Sequence, residues 1–431
     1  MEHVKYLIIG AGITGLTVAS YLKDNYAIIE KEGEPGGYCR TVYDGEYVWD
    51  YAGHFFHFKS EEFRQKFVSN LKRDDFVKQE KKTYIYYKDK LIDYPFQMNI
   101  HELDKEEFID CLYDLFNRND SGEYTDFLDM LYGKFGISIT EKFLKPYNEK
   151  LYACDLASLD KDAMGRFFPY ADPQAIINNM KDSADHSYNN TFLYPKRGAE
   201  VIIDEILKDI DESGLRLNSS VDKINLIDKK VNLNDGELIS YDYLINTIPF
   251  NKFIKLVGIP EFDKLSEELS YNKVLVFNLG FNKKSRFDKQ HWLYFPDKEI
   301  NFYRAGFYDN ILETDKLSMY IEIGYDKNAD IDSDEIEKQL ELTLANLKKT
   351  GIIDDSFDLA AHVDIVMDPA YVHIDNVHEN KIVEIKKELR DTGVFSIGRY
   401  GGWTYCSMED CMIEAKKTAE DIKNEMSWEK N

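Results

Sequence analysis

Tyr6-Leu7-Ile8-Ile9-Gly10-Ala11-Gly12-Ile13-Thr14-Gly15 opens the chain, and Tyr26-Ala27-Ile28-Ile29-Glu30 follows one helix later. Both apolar runs carry strand-type side chains. Leu16, Ala19 and Leu22 between them fall on one face of a helix. The order is strand, glycine turn, helix, strand, acid. Gly10 makes the tight turn, Gly12 lets the backbone approach a pyrophosphate, and Gly15 lets helix and strand pack closely. The helix N-terminus offers free N–H groups and a partial positive charge to phosphates. Glu30 can accept hydrogen bonds from a ribose. A bare glycine triplet also occurs as a plain structural turn. Here the strand before, the helix behind and the acid at the right distance agree on a dinucleotide-binding unit.

The loop after Glu30 selects the dinucleotide. Glu34-Pro35-Gly36-Gly37-Tyr38-Cys39-Arg40-Thr41 places two adjacent glycines before an arginine. That suits a backbone wrapped round a second face of the pyrophosphate, with Arg40 supplying a charge-assisted fork. The stretch resembles the glycine-glycine-x-x-arginine segment of flavoproteins in the amine oxidase and UDP-galactopyranose mutase superfamily. FAD is therefore favoured over NAD.

The chain has 431 residues, a length suited to two or three domains. Hydrophobic residues make up 43%, enough for a large core, and aromatics 14%, with 30 Tyr and 26 Phe. Tyrosines often line sugar and nucleotide sites as flat surfaces carrying one hydroxyl, although most serve as core or half-buried strand residues. The formal net charge of -25 repels nucleic acid and anionic lipid. An anionic substrate would need local arginines against that field. The five cysteines, Cys39, Cys111, Cys154, Cys406 and Cys411, contain no CxxC pair. A zinc site or disulfide framework is not expected, no metal is called for, and reduced cytoplasmic thiols fit. No leader peptide is read at the N-terminus, and no apolar run is long enough to span a membrane.

Trp49-Asp50-Tyr51-Ala52-Gly53-His54-Phe55-Phe56-His57-Phe58 can bring backbone at Gly53 and the His54 imidazole close to a flat ring. From about 60 to 190 the chain reads mostly helical, with helical spacing over Glu61–Asn70, Lys105–Phe116 and Tyr124–Phe135. A hairpin is expected over Tyr84–Leu91. It leads to Tyr94-Pro95-Phe96-Gln97-Met98-Asn99, where Pro95 biases Tyr94 toward extended backbone. A second aromatic–amide cluster holds Asn148 and Tyr152. Arg166, set among Phe167, Phe168 and Pro169, is a candidate anion clamp. Thr191–Gly198 returns the chain to the first domain. Val221–Leu226 and Lys230–Ile239 read as a hairpin turned at Asn234-Asp235-Gly236, and Tyr243–Pro249 as a buried strand.

A second insertion from about 250 to 390 has strands at Val274–Leu279 and Met319–Ile323, read as scaffold only, and a helix capped by Asp332 with Glu335. Trp292-Leu293-Tyr294-Phe295-Pro296 and Phe302-Tyr303-Arg304-Ala305 form a strand, a turn and a return strand, placing Trp292, Tyr294 and Arg304 near one another. Arg304 is a second candidate clamp and Tyr371 a further candidate. Val394–Tyr405, with Gly398 and Arg399, closes the cofactor domain ahead of a helix from about Met408. The expected fold is α/β: a Rossmann-like FAD-binding domain (1–70, 191–250 and 391–431) with two insertions. One is a mainly helical domain (71–190) and the other an antiparallel β-sheet domain (251–390).

Tyr94-Pro95-Phe96-Gln97-x-Asn99, Trp292-Leu293-Tyr294-Phe295-Pro296 with Phe302-Tyr303-Arg304, and Gly398-Arg399-Tyr400-Gly401-x-Trp403-x-Tyr405 together resemble the UDP-galactopyranose mutase family. The likeness is stronger to its eukaryotic-type branch and spans the whole chain. The resemblance implies that Tyr94, Phe96, Gln97 and Tyr152 hold a uridine, with Asn148 and Asn189 facing the nucleotide. It further implies that Arg166 and Arg304 pair a diphosphate, that Tyr294, Tyr371 and Tyr405 hydrogen-bond to it, and that Trp292 lies along the sugar path. His54 would sit beside the flavin and Met408 at its edge. The family's asparagine–glutamine pair is replaced by Cys406-Ser407-Met408-Glu409-Asp410.

The activity implied is interconversion of UDP-galactopyranose and UDP-galactofuranose, or of a related UDP-hexose such as an N-acetylated one, for cell-surface polysaccharide. Reduced flavin would attack the anomeric carbon through N5, and NADPH or NADH would reduce the flavin first. The partner implied is a UDP-sugar, with no nucleic acid, no membrane insertion and room for a homo-oligomer. Two other readings stay open: an FAD-dependent amine or porphyrinogen oxidoreductase, and a non-catalytic nucleotide-sugar-binding flavoprotein.

Overall fold

The computed structural model describes residues 2–68, 72, 75–165, 168, 169, 171–181 and 191–429, with side chains as far as 424. Strand β1 (Glu2–Ile9) leads into a helix, Ile13–Leu22, and returns as β2 (Tyr26–Ile29) parallel to β1. Every residue of β2 is buried, as a strand covered on both faces requires. β3 (Thr41–Asp44) and β4 (Tyr47–Asp50) form a small hairpin, and Glu61–Val68 is a helix. β5 (Phe76–Glu80), not foreseen from the sequence, begins the first insertion. β6 (Thr83–Tyr87) and β7 (Lys90–Asp93) form the expected hairpin, and helices Lys105–Asn117, Phe127–Ile139, Lys145–Tyr152 and Pro173–Asn179 follow. The second of these starts three residues later than its spacing suggests, because the Asp126 carboxylate caps it by accepting the Asp129 N–H at 2.9 Å.

β8 (Thr191–Pro195) pairs with β5 and returns the chain to the first sheet. There β9 (Leu215–Arg216), β10 (Val221–Asn225), β11 (Lys230–Leu233) and β12 (Leu238–Asn246) complete most of it. The hairpin expected with its turn at Asn234–Gly236 is instead a three-strand meander. β10 meets β11 across residues 226–229, where the Asn225 carboxamide accepts the Asp228 N–H. Asn234-Asp235-Gly236 turns β11 into β12, with Gly236 at φ 85°. Two turn signals lie close together here, and each uses its own polar side chains.

The second insertion supplies β13 (Tyr271–Phe281), β14 (Trp292–Tyr294), β15 (Arg304–Phe307), β16 (Ser318–Asp326) and β17 (Leu359–Val372). Their sheet runs β17-β13-β16-β15-β14-β6-β7. The β6–β7 hairpin therefore extends the sheet of the second insertion, with β6 parallel to β14, although it lies in the first insertion's sequence. The helical unit packs on this end through Ile85, Ile92 and Tyr303, around Leu115, Phe127, Phe135 and Tyr152. Finally β18 (Val394–Ser396) pairs with the end of β12, and helix Met408–Glu429 packs beside the first helix. No helix among the described residues is long and apolar enough to cross a membrane.

Asp50 joins these pieces. Its carboxylate accepts from the Thr41 hydroxyl and the Ala199 N–H at 2.8 Å each, and from the Tyr194 hydroxyl at 2.9 Å. Its carbonyl accepts from the Asn278 side chain at 2.9 Å. Burial pushes the carboxyl up to about 7, against the hydrogen bonds that favour its charged form. Asp50→Ala leaves two hydroxyls and an N–H unpaired in the core. It should cost about 3 kcal/mol of stability in denaturant unfolding, and an unchanged midpoint would remove Asp50 from this role.

Candidate functional site

The strand-to-helix turn builds one end of the site. Gly10 has φ 100°, and a Cβ there would lie 2.6 Å from the Thr247 hydroxyl oxygen. A Cβ on Gly15 would stand 2.0 Å from the Gly10 carbonyl oxygen, so this glycine is what brings the helix onto β1. Gly12 differs from both: a Cβ there would meet nothing within 4 Å, so its backbone faces open space. The helix start carries no side-chain cap and no acid in its first turn. Its N–H groups are directed to whatever fills that space. The Glu30 carboxylate accepts the Ala11 N–H at 2.8 Å and the Glu32 N–H at 3.0 Å.

The second glycine loop lies against the first. The Gly36 N–H donates to the Ala11 carbonyl at 2.8 Å, and a Cβ on Gly37 would stand 3.3 Å from the Gly12 Cα. Gly36 and Gly37 both have positive φ, 114° and 57°. Arg40 donates from Nε to the Gly37 carbonyl at 3.0 Å and from Nη1 to Glu34 at 3.2 Å. Its guanidinium lies 4.8 Å from the Tyr51 ring centroid. A cavity of about 680 Å³ runs from Glu30 and Ser219–Val221, past Gly12, Gly36 and Arg40, to Gly53, His54, Tyr371, Arg399, Tyr405 and Arg304. Its open glycine cradle, acid at one end and flat aromatic rings at the other fit FAD.

The far end is set by strand register. Tyr294 of β14, Arg304 of β15 and Glu322 of β16 are direct cross-strand partners, so their side chains share one face of the sheet. Arg304 Nη2 donates to both Glu322 oxygens, at 2.5 and 2.6 Å, and the Tyr303 hydroxyl donates to the same carboxylate at 2.5 Å. Arg304 Nε is buried with no partner among the described residues. The sequence reading took β16 as scaffold and missed Glu322. Its signal is a charged residue in an otherwise apolar buried strand, Met319-Tyr320-Ile321-Glu322-Ile323. The expected Trp292–Tyr294 and Arg304 strand pair forms as read.

Arg399 is a second enclosed cation. Its guanidinium lies 4.7 Å from the Tyr405 ring and 5.3 Å from the Tyr371 ring, which stack on each other at 5.7 Å. Its Nη1 donates to the Cys406 carbonyl at 2.8 Å. Gly398 has φ 80° and gives its N–H to Glu414. Met408 lines the cavity beside Cys39, Cys406 and Cys411. The sequence names these thiols but gives them no role in the site.

His54 Nδ1 lies 3.0 Å from the Ala52 carbonyl, and since a carbonyl only accepts, Nδ1 carries the proton and Nε2 a lone pair. Burial is the largest cause lowering its pKa to about 4. The Ala52 bond acts against this, and Arg399 and Arg304 act with it. His291 and His373 are likewise lowered to about 4, chiefly by burial. Between pH 6.5 and 4 the unfolded chain binds protons that these folded imidazoles refuse. Their contribution to stability is full above pH 6.5 and declines as pH falls. Asp50 and Asp309, both raised to about 7, act in the opposite sense over the same range. A melting curve therefore mixes the two effects, and NMR of labelled histidine separates them. It should show three imidazoles neutral down to about pH 4, and titration of all of them near 6.5 would contradict the enclosed placement.

The remaining expected residues are not brought onto the cavity wall. Trp292 is buried edge-on against Phe55, with ring centroids 4.6 Å apart. Tyr94 and Tyr294 pack together at 5.2 Å. Phe96 stacks on Phe143, the Gln97 amide donates to the Pro169 carbonyl, and the Asn148 amide to the Leu144 carbonyl. Phe96, Gln97, Asn148 and Tyr152 are all buried in the helical unit, because the aromatic packing that orders its helices closes over them. Yet Gln97 Oε1, Asn148 Oδ1 and the Tyr152 hydroxyl have no partner among the described residues. Arg166 and Asn189 fall outside the described residues.

Three comparisons bear on the site. The model of the family described as flavin containing amine oxidoreductase matches residues 13–423. The coproporphyrinogen III oxidase of Staphylococcus aureus (strain NCTC 8325 / PS 47) is 25% identical over 321 residues, covering 64% of this chain and 67% of its own. Among solved structures, reduced UDP-galactopyranose mutase superposes with a TM-score of 0.91 at 23% identity, covering 98% of this chain and 94% of that one. A protein of Exiguobacterium sp. 255-15 described as a protoporphyrinogen oxidase superposes at 0.73 and 18% identity, covering 98% and 99%. At these identities the two structures share the fold.

Proposed function

The chain belongs to the flavin containing amine oxidoreductase family, and we propose that within it the chain is an FAD-dependent nucleotide-sugar mutase acting on a UDP-hexose. The supporting observation is the far end of the cleft. There Arg304 and Arg399, two enclosed guanidinium groups among Tyr371 and Tyr405, line the same cavity as the dinucleotide turn. In a chain of net charge -25, the positive charge left at this end after Glu322 pairs with Arg304 suits an anion held against a flat ring.

When bound and reduced, FAD supplies a nucleophilic ring nitrogen for the sugar's anomeric carbon. The rest is the work of this chain. Arg304 faces the charge that develops on a departing diphosphate, while Glu322 and Tyr303 hold its guanidinium in place. Arg399 and the Tyr371–Tyr405 stack position the other side. Neutral His54 offers a lone pair at Nε2 as a hydrogen-bond acceptor without adding charge. Reduction of the cofactor by NADPH or NADH and a role in polysaccharide synthesis in the cytoplasm belong to this reading.

The S. aureus relative favours one alternative, oxidation of a porphyrinogen, whose carboxylates would also suit the two arginines. The test is chromatography of UDP-galactofuranose incubated with purified holoprotein, with and without dithionite. Conversion to UDP-galactopyranose only after reduction supports the mutase. Failure with all UDP-hexoses tried, together with aerobic formation of fluorescent porphyrin from coproporphyrinogen, moves the assignment to the oxidase.

A further inference from the structure

We propose that Cys406 and Cys411 form a reversible dithiol–disulfide site in the wall of the flavin cleft. The two sulfurs lie 3.5 Å apart, and both line the cavity together with Cys39 and Met408. A capping turn holds them there. Ser407 donates to the Asp410 carboxylate from its N–H at 2.8 Å and from its hydroxyl at 2.7 Å. The Cys411 N–H donates to the Ser407 carbonyl at 3.1 Å. Cys406 thus precedes helix Met408–Glu429 and Cys411 sits in its first turn. A bonded length of roughly 2 Å asks the two sulfurs to approach by about 1.5 Å.

The two thiols are not equivalent. Cys411 is lowered, first by its hydrogen bond with Cys406 and further by the Arg399 N–H and the Thr14 hydroxyl, against the cost of burial. Its place at a helix start adds to this. Cys406 is pushed up, first by the same bond and then by burial. Cys39 is buried, pushed up by that burial, and engaged with the Met408 sulfur at 3.6 Å. Cys411, in the first turn of the helix, is assigned as the attacking thiolate and Cys406, outside it, as the resolving thiol.

The oxidant is hydrogen peroxide. The Cys411 thiolate attacks one peroxide oxygen, an S–O bond forms, the O–O bond breaks, and hydroxide leaves and takes up a proton as water. The Cys406 sulfur then attacks the Cys411 sulfur, the S–S bond forms, the S–O bond breaks, and a second water departs with the Cys406 proton. Two thiols are oxidised by one peroxide, and an external dithiol reverses the step. The change reaches the site because the Cys406 carbonyl holds Arg399, and Tyr405 is the residue before it.

The test uses the flavin-loaded wild-type protein. It is treated with stoichiometric peroxide, blocked with N-ethylmaleimide and digested with trypsin. The peptide Tyr400–Lys416 contains these two cysteines and no other. It should lose two hydrogens, take no maleimide, and take two after dithiothreitol. In Cys406→Ser the same treatment should leave Cys411 as a sulfenic acid trapped by dimedone. Maleimide on both thiols after peroxide, or a Cys39–Cys411 link, would overturn the proposal. Dimedone on Cys406 in Cys411→Ser, with none on Cys411 in Cys406→Ser, would overturn the assignment of roles.

Discussion

Arg304→Met should weaken UDP binding by roughly 30- to 1,000-fold, the equivalent of about 2–4 kcal/mol for a charged partner removed from an enclosed phosphate contact. Flavin content should stay at the wild-type level. Arg304 lines the end of the cavity opposite the dinucleotide turn, and its strand neighbours hold it there from both sides. The variant should also be less stable. Glu322 is 1% exposed, and without Arg304 its carboxylate is a buried charge with the Tyr303 hydroxyl as its one side-chain partner among the described residues. Breaking such a pair costs about 3–5 kcal/mol. The double variant Arg304→Met/Glu322→Gln should recover much of that stability and none of the UDP affinity. Calorimetric titration with UDP, flavin absorbance and denaturant unfolding read the three quantities separately. Wild-type affinity in both variants would place the diphosphate elsewhere, and loss of flavin together with UDP would place Arg304 in cofactor binding.

Gly12→Ala and Gly15→Ala differ by one residue type at neighbouring positions and should fail in different ways. Gly12 has φ -74°, which alanine adopts freely, and its Cβ would enter the open cradle without touching protein. The variant should fold like wild-type apoprotein and come out colourless, since the methyl group takes space that the pyrophosphate needs. Its melting temperature belongs beside that of the apoprotein, because a tightly bound cofactor raises the holoprotein's. Gly15→Ala places a methyl group 2.0 Å from the Gly10 carbonyl oxygen and 3.2 Å from the Ile8 side chain. The first helix would have to move off β1 by about 1 Å, at a cost of roughly 3 kcal/mol or more. That variant should be poorly soluble with or without added FAD. A flavin-replete Gly12→Ala would show that the cofactor does not lie over this turn.

Much of the fold could be read from local pattern. The crossover at Gly10–Gly15, the hairpin at β6–β7 and the cap at Asp332 each depend on residues within one helix or one turn of each other. Hydrogen bonding and side-chain periodicity act over that distance. The Trp292–Tyr294 and Arg304 pairing was readable because two aromatic segments only nine residues apart (295–303) form adjacent antiparallel strands. The meander at β10–β12 was misread because two turn signals stand within ten residues.

Local sequence is enough to place the dinucleotide turn, the acid at Glu30, the second glycine loop with Arg40, and arginines among aromatics in an acidic chain. Tertiary structure alone decided that β6 and β7 join the sheet of the second insertion, that Glu322 holds Arg304, and that Phe96, Gln97, Asn148 and Tyr152 are closed into the helical unit. It also decided that Cys406 and Cys411 face one cavity with Cys39, whose position is 369 residues from that of Met408. The physical reason is that a strand edge, a buried charge and a cavity wall are completed by partners far along the chain. No local pattern specifies which distant edge is vacant or which face will be covered. Those choices follow from the packing of whole layers, where burial of apolar surface sets the arrangement and polar groups then take the partners it brings within reach.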